Sequence, residues 1–359
     1  MLKSRFDISQ KSQVEVEEEE EVEVKSEPSV AEETRTERAS LPAVADRKLN
    51  RSEVSVRLSQ LGKTAEGDGY AYIKATCTGM SLTDIGAIAS FKHLQFVDVS
   101  ENYLTTPALQ AVTKLPFLVL IHADKNRLES AFLKKSKYLQ VIIMNYNSIV
   151  TVSDVYHPEL STLEVGYNQV TNISFTNRMP SLRCLDFRYN RITDISDFNF
   201  PNLDSLYLAG NKIKSLVGLE RQVNLRILHV RNNPIESLNG FDPNHTKLQY
   251  INLRNCRVTT KKQVKKLQCL KALEVLILRG CPYMGGSSEE GTDAGEEDDP
   301  ELRIEVLAAL PRLKRLNKGV FTPEERTEAK TLMMQILEEG EDDIEEISEE
   351  VQEEDLNEK

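Results

Sequence analysis

The sequence predicts an α/β solenoid built from stacked copies of one short unit. The stretch 203–213 shows the unit clearly, with leucine or isoleucine at its first, fourth, sixth and eleventh positions and Asn211 at its ninth. Leu206 and Leu208 alternate as they do on a strand with one buried face. The pattern recurs along the chain at intervals of 21 to 25 residues. Because one unit cannot bury its apolar face alone, the copies must stack on one another.

The asparagine position identifies nine repeats in one register. Its amide can pair with backbone groups that the turn after the strand leaves unsatisfied. A tenth, atypical copy precedes the nine, with Ala75 and Cys77 in the strand and Met80 in the asparagine position. Spacing and pattern together are those of a leucine-rich repeat. The nine positions are Asn102, Asn126, Asn147, Asn168, Asn190, Asn211, Asn233, Cys256 and Cys281.

Leucine-rich repeats of this length predict a curved parallel sheet on the concave face and short helices or 3₁₀ turns on the convex face. Repeats of 21 or 22 residues leave little room for a helix, so 3₁₀ turns are expected there. A longer repeat favours a helix over 261–270, because Val264, Leu267 and Leu270 recur at helical spacing. A helical cap is expected at the C-terminal end of the solenoid.

Composition divides the chain into six segments. Residues 1–68 are rich in glutamate and poor in aromatic residues, which predicts a disordered acidic segment with at most a short helix near 52–61. The solenoid is expected over 69–283, an acidic flexible insertion over 284–300 and the cap over 301–322. Thr322 is a candidate N-cap for a helix over 323–337. An acidic disordered tail over 338–359 follows.

Charge is distributed unevenly along the chain. The formal net charge is −12, yet residues 338–359 alone contribute −12, residues 284–300 contribute −7 and residues 1–68 contribute −5. The solenoid and its cap therefore carry +12. One interpretation is that acidic segments keep the solenoid soluble. The other is that the basic body binds an acidic surface and the acidic segments compete for it.

Residue patterns give no candidate for catalysis, a cofactor or a metal. The chain has no phosphate-binding loop and no zinc-protease or serine-hydrolase motif. His122 and His229 fall on the concave face five repeats apart, too far to share a metal. The five cysteines lack paired-ligand spacing and are expected to be reduced and structural, which suits an intracellular protein. No membrane span is predicted, and nucleic-acid binding is disfavoured because stacking aromatics are not interleaved with the lysines.

The concave face is the predicted partner-binding surface. Arginines recur in the last three repeats and would repel one another unless an anionic group lies across them. Apolar residues face outward beside them and in a second strip, with Val141, at the other end of the sheet. Aromatic residues and arginine are enriched in interface cores, so we expect a partner segment of acidic and apolar character. The predicted binding residues are Phe96, Leu120, Ile143, Ile227, Arg231, Tyr250, Arg254, Val275 and Arg279.

Three tyrosines hold equivalent positions in adjacent repeats: Tyr146, Tyr167 and Tyr189. The favoured interpretation is that they pack on one another at the turns where the strands end. The alternative is that they form part of a binding surface.

Several stretches depart from the generic repeat and resemble one family. They include Leu82-Thr83-Asp84-Ile85, residues 97–102, residues 228–233, residues 248–254 and Glu324-Glu325-Arg326. These stretches resemble the leucine-rich repeat-containing protein 23 family of the radial spokes of motile cilia and flagella, over about residues 69–335. The resemblance implies an axonemal structural protein of the cytoskeleton that helps assemble spoke heads and supports sperm motility. Its implied partners are other radial spoke and axonemal proteins.

Three features depart from that family. Gly280-Cys281-Pro282 replaces the usual Asp-Asn-Pro, the acidic insertion over 284–300 is unexpected, and the N-terminal tract does not align with the family. The alternative function is a regulatory binding module, such as a phosphatase-targeting repeat subunit, whose solenoids have similar 22-residue repeats. A spoke component would stay with detergent-extracted axonemes, whereas a phosphatase regulator would be released with its catalytic subunit.

Overall fold

The computed structural model describes residues 45–64, 67–285 and 298–338, all in one compact unit, Ala45–Lys359. Within these ranges the strands form one 13-stranded sheet in sequence order. Strands β2 to β12 are parallel, and an antiparallel pair closes each end. The predicted solenoid is therefore confirmed. The predictions for residues 1–44, 286–297 and 339–359 lie outside the described residues.

Most strands are three residues long, as expected when each repeat contributes one short strand. The strands are β1 (Leu58–Lys63), β2 (Tyr70–Thr76), β3 (Phe96–Asp98), β4 (Leu120–His122), β5 (Val141–Ile143), β6 (Thr162–Glu164), β7 (Cys184–Asp186), β8 (Ser205–Tyr207), β9 (Ile227–His229), β10 (Tyr250–Asn252), β11 (Val275–Ile277), β12 (Arg315–Leu316) and β13 (Gly319–Val320).

The apolar core runs continuously behind the sheet. The central residue of every strand from β3 to β11 is fully buried, as Val97, Leu206 and Leu276 illustrate. The second apolar residue of each unit, such as Leu208, is buried as well. This burial confirms the alternation on which the fold prediction depends. The atypical first copy also belongs to the core, because Ala75 and Cys77 are fully buried in the same cluster.

The asparagine position joins each repeat to the one before it. Asn168 donates from Nδ2 to the backbone oxygens of Met144, Val165 and Gly166 and accepts from the N–H of Ile149. Its side chain thus satisfies groups in two successive turns. In the last two repeats the thiols take over part of this role. The Sγ atom of Cys281, for example, donates to the Leu253 oxygen over 3.1 Å.

Helices on the convex side follow repeat length, with one correction. The longer repeats carry α2 (Thr106–Leu109) and α3 (Lys261–Lys265), each continued by a 3₁₀ turn. Of the shorter repeats, two have the predicted 3₁₀ turn, at Gly86–Ser90 and at Leu219–Arg221. The others, within the described ranges, cross the convex side in extended turns. A step of 21 residues leaves too few residues even for a 3₁₀ turn.

The predicted N-terminal boundary at residue 68 is wrong for 45–64. These residues form α1 (Arg51–Ser55) and β1, which pairs antiparallel with β2. Helix α1 begins with a capping box, in which Asn50 and Glu53 bond each other's backbone N–H groups. Buried Leu49 and Val54 belong to the same core as the repeats. This short segment covers the first repeat. The sequence did not indicate it, because its few apolar residues belong to a stretch whose overall composition is acidic.

The C-terminal cap contains α4 (Pro300–Ala309), β12, β13 and α5 (323–338). Buried Val306 and Leu310 close the exposed end of the core. Asn317 takes over the asparagine role, accepting from the N–H groups of Leu278 and Arg279. Helix α5 begins with the predicted Thr322 cap, whose hydroxyl accepts from the Glu325 N–H over 3.2 Å. No helix in the described ranges has the length and apolar character needed to span a membrane.

Candidate interaction surface

The solvent-facing side of the sheet consists of the first and third residues of each strand. Because the parallel strands pair without slippage, equivalent residues stack in columns. From β3 to β11 the first column contains Phe96, Leu120, Val141, Thr162, Cys184, Ser205, Ile227, Tyr250 and Val275. The second contains Asp98, His122, Ile143, Glu164, Asp186, Tyr207, His229, Asn252 and Ile277.

A charged network occupies the N-terminal end of this surface. His122 lies between two carboxylates, with Nε2 3.1 Å from Asp124 Oδ2 and Nδ1 3.4 Å from Asp98 Oδ2. Hydrogen bonds to Asp124 and Asp98 raise the pKa of His122 to about 10, so the ring is positively charged at neutral pH. Although burial opposes it, hydrogen bonds from His122 and Ser100 lower the pKa of Asp98 to about 2. His122 is therefore an ion-paired structural residue of the sheet surface.

Two further carboxylates lie at the centre of the surface. Burial, with the nearby charges of Asp186 and Asp124, raises the pKa of Glu164. Asp186 is buried and accepts hydrogen bonds from Arg188 Nε over 2.9 Å and from Nη2 over 2.8 Å. The sheet surface thus changes from predominantly acidic to predominantly basic near Arg188, two positions beyond the end of β7.

Arginines and stacked aromatic rings together form the C-terminal half of the surface. The rings of Tyr207 and His229 stack with centroids 4.9 Å apart, and those of His229 and Tyr250 with centroids 4.7 Å apart. The Arg188 guanidinium lies 5.4 Å from the centre of the Tyr207 ring. Burial and the charges of Arg188 and Arg231 lower the pKa of His229 to about 3, so its ring is neutral. Sequence reasoning missed Tyr207 and His229 as members of this surface, although both are the third residues of their strands and His229 lies two residues before Arg231.

The nine predicted binding residues do not all form one exposed surface. Phe96, Leu120, Val275 and Tyr250 are half-buried on the sheet face, as are Arg231, Arg254 and Arg279 beyond the strand ends. Ile227 is buried, contrary to the prediction, because Ser205 and Tyr250 flank it in register at the strand spacing. Val141 is buried too, whereas Ile143 is half-buried, in register between His122 and Glu164. The second apolar strip therefore keeps Phe96, Leu120 and Ile143.

The three tyrosines form a continuous stack at the strand-exit turns, called the tyrosine ladder below. Ring centroids are 4.2 Å apart between Tyr146 and Tyr167 and 4.5 Å apart between Tyr167 and Tyr189. All three adopt left-handed backbone conformations, with φ between 53° and 55°. Tyr146 remains 47% exposed. The packing interpretation is confirmed, and Tyr167 is also partly exposed, at 40%.

The described part of the chain contains neither a cluster of metal ligands nor a cysteine with a lowered pKa. No group of three or more potential metal ligands occurs there. All five cysteines are free thiols. Burial raises the pKa of the Cys77 and Cys281 thiols to about 11 and that of Cys184 to about 12. These thiols are protonated at neutral pH and pack as small apolar groups.

Comparisons with known proteins agree with this architecture. The profile of the family described as Leucine Rich repeats (2 copies) matches residues 158–200, 180–221 and 201–243. The leucine-rich repeat-containing protein 23 of Homo sapiens is 34% identical over 290 residues, covering 80% of both chains. That of Mus musculus is 36% identical over 284 residues, covering 79% of both. The chain belongs to the leucine-rich repeat-containing protein 23 family. The resemblance noted in the sequence is thereby confirmed.

Solved structures similar to this member of the leucine-rich repeat-containing protein 23 family include two internalins of Listeria monocytogenes. The internalin inlF is 19% identical, covers 73% of this chain and 88% of its own, and gives a TM-score of 0.46. The internalin C2 is 18% identical, covers 58% and 80%, and gives a TM-score of 0.44.

Proposed function

We propose that this chain is a non-catalytic scaffold of the ciliary or flagellar axoneme, where it forms part of a radial spoke and supports spoke-head assembly and sperm motility. Membership of the leucine-rich repeat-containing protein 23 family supports this assignment. A solenoid suits such a role because each repeat adds surface without adding a catalytic cavity. Its partners are then other radial spoke and axonemal proteins.

The C-terminal half of the sheet surface carries the proposal at the level of residues. It places Arg231, Arg254 and Arg279 in three successive repeats beside the stacked rings of Tyr207, His229 and Tyr250. Rigid aromatic rings bordered by arginine are typical of the energetic centre of protein interfaces. Val275 and Ile277 extend this centre with half-buried apolar area.

Charge indicates the character of the bound segment. The surface gains positive charge towards β11, and His229 adds none because its ring is neutral. A segment that carries carboxylates towards the arginines and apolar side chains towards Tyr250 and Val275 would satisfy both parts of the surface. Such a segment can lie across the strands, since the columns recur at the strand spacing of about 4.8 Å.

Fractionation of ciliated cells tests the assignment. A tagged full-length chain is expected in axonemes after detergent extraction, together with radial spoke proteins. Release into the detergent-soluble fraction with a phosphatase catalytic subunit would instead support the regulatory module. Localisation of the tagged chain outside the cilium would contradict the axonemal role.

A further inference from the structure

A rigid loop on the convex side presents three lysines and a phenylalanine to solvent. It spans residues 129–138, between β4 and β5, where the preceding repeat carries α2. Phe132 is 40% exposed, and Lys134, Lys135 and Lys137 are exposed. We call these four residues the lysine platform. None of the three lysines forms an ion pair of 4.0 Å or less with a residue of the described ranges.

The loop has no helix or strand of its own, and the neighbouring repeats fix its backbone. From the preceding repeat, Gln110 Nε2 donates to the Phe132 oxygen over 2.8 Å, and Gln110 Oε1 accepts from the Lys134 N–H over 3.0 Å. The Thr106 hydroxyl accepts from the N–H of Ser130 over 3.2 Å. From the following repeat, the buried His157 accepts through Nδ1 from the Ser136 N–H.

Apolar anchors complete the support. Ala131, Leu133 and Leu139 are buried in the core and alternate with the exposed residues of the platform. The exposed side chains therefore stand on a backbone whose conformation is already fixed. Binding to such a surface avoids the entropy cost of ordering the loop.

We propose that the lysine platform is a docking site for an acidic polypeptide segment of a partner, with one apolar residue that packs on Phe132. Three neighbouring ammonium groups that lack carboxylate partners in the described structure favour a ligand with several carboxylates. Phe132 offers such a ligand an apolar contact. The site lies on the convex side and is separate from the arginine surface of the proposed function.

The observations favour an acidic polypeptide over a nucleic acid. Bases bind single-strand sites by stacking on open aromatic faces. Here the Lys137 ammonium lies 4.9 Å from the centre of the Tyr138 ring, and that of Lys135 lies 5.2 Å from the centre of the Tyr156 ring. The lysines thus occupy the nearby tyrosine faces, which leaves Phe132 as the exposed aromatic side chain of the platform.

Zero-length carbodiimide coupling tests the proposal on the full-length chain. The probe is a peptide of six glutamates around one central leucine, and mass spectrometry locates each lysine joined to it. Lys134, Lys135 and Lys137 are expected to couple about tenfold more than Lys262, Lys265 and Lys271. The second group is also exposed and serves as an internal control. Arginine does not couple, so failure of the arginine surface leaves this result unchanged.

Two variants sharpen the test. Phe132→Ser should lower coupling at the platform severalfold and leave the control lysines and the melting temperature unchanged, because Phe132 lies outside the core. Equal coupling at both groups would overturn the proposal, as would coupling of the platform only to acidic residues of the same chain. Tighter binding of a single-stranded thymidine oligonucleotide, abolished by changing the three lysines to glutamine, would overturn the choice of partner.

Discussion

At the scale of the residue, the asparagine that follows each strand is the side chain that most constrains this fold. Asn168 is buried and makes four hydrogen bonds to the backbone of two repeats, whereas Cys256 makes one, from Sγ to the Val230 oxygen over 3.3 Å. A thiol can donate but offers only a weak acceptor. The side chain at this position therefore makes fewer hydrogen bonds in the cysteine repeats than in the asparagine repeats.

Removing the two side chains should reveal that difference. Asn168→Ala leaves one N–H and up to three carbonyl oxygens without their partner in a buried turn, and should lower the free energy of unfolding by about 3 kcal/mol or more. Cys256→Ala should cost about 1 kcal/mol. Urea unfolding at equilibrium measures both changes. Equal losses would show that hydrogen bonding at this position does not determine stability.

Buried polar residues recur at another position, six residues before the central strand residue. Gln222 accepts from the Phe200 N–H over 2.8 Å, and His157 accepts from the Ser136 N–H over 3.1 Å. The Nε2 atom of His157 has no hydrogen-bond partner in the described structure. Burial lowers the pKa of His157 to about 4. The ring is therefore neutral in the folded state at neutral pH.

This histidine should make stability depend on pH. An unfolded histidine has a pKa of about 6.5, so the unfolded chain binds a proton here before the folded chain does. The stabilising effect is complete above pH 6.5 and should be lost towards pH 4, by up to about 3 kcal/mol. His157→Gln keeps the acceptor that Gln222 shows to be tolerated and should remove this part of the dependence. If the free energy of unfolding changed with pH in the same way in both chains, His157 would not be the source of this dependence.

At the scale of the element, the residue before each repeat asparagine has a left-handed backbone conformation. The side chains at this position are adapted to those at the same position of the neighbouring repeats. The tyrosine ladder ends at Gly210, where an added Cβ would lie 2.5 Å from the ring of Tyr189. Further along, Asn255 donates from Nδ2 to Asn232 Oδ1 over 2.9 Å. The position thus holds stacked rings in one part of the solenoid and paired amides in another, and Gly210 lies between them.

A double-mutant cycle tests this coupling. Gly210→Asn alone should destabilise the chain because its side chain collides with the Tyr189 ring. In the Tyr189→Asn background the same change should be tolerated, because asparagines at 189 and 210 reproduce the pair formed by Asn232 and Asn255. We expect a coupling energy of about 1–3 kcal/mol from thermal or urea unfolding. Additive effects would mean that the ring does not require the glycine.

Repeat periodicity predicted the solenoid and its strands because every repeat obeys the same alternation of buried residues. The pattern could not reveal which particular side chains of neighbouring repeats contact one another. The burial of Ile227 depends on the flanking Tyr250, and the stack of Tyr207, His229 and Tyr250 crosses from one column to the other. The N-terminal cover was missed because α1 and β1 do not follow the repeat pattern.

At the scale of the whole molecule, the charge of the sheet surface changes from one end of the solenoid to the other. Carboxylates and the charged His122 occupy its first repeats, and arginines with aromatic rings occupy its last repeats. The lysine platform lies on the other side of the sheet. A scaffold with distinct surfaces of different charge can hold several partners in one orientation, since like charges disfavour the wrong arrangement.

The most direct test of the central claim is retention of an Arg231→Glu and Arg254→Glu double variant in detergent-extracted axonemes. Lys262→Glu with Lys265→Glu provides the matched control, with the same change in net charge away from the sheet surface. We predict that the arginine variant is released into the soluble fraction with an unchanged melting temperature, while the control stays bound. Full retention of the arginine variant would contradict binding through this surface.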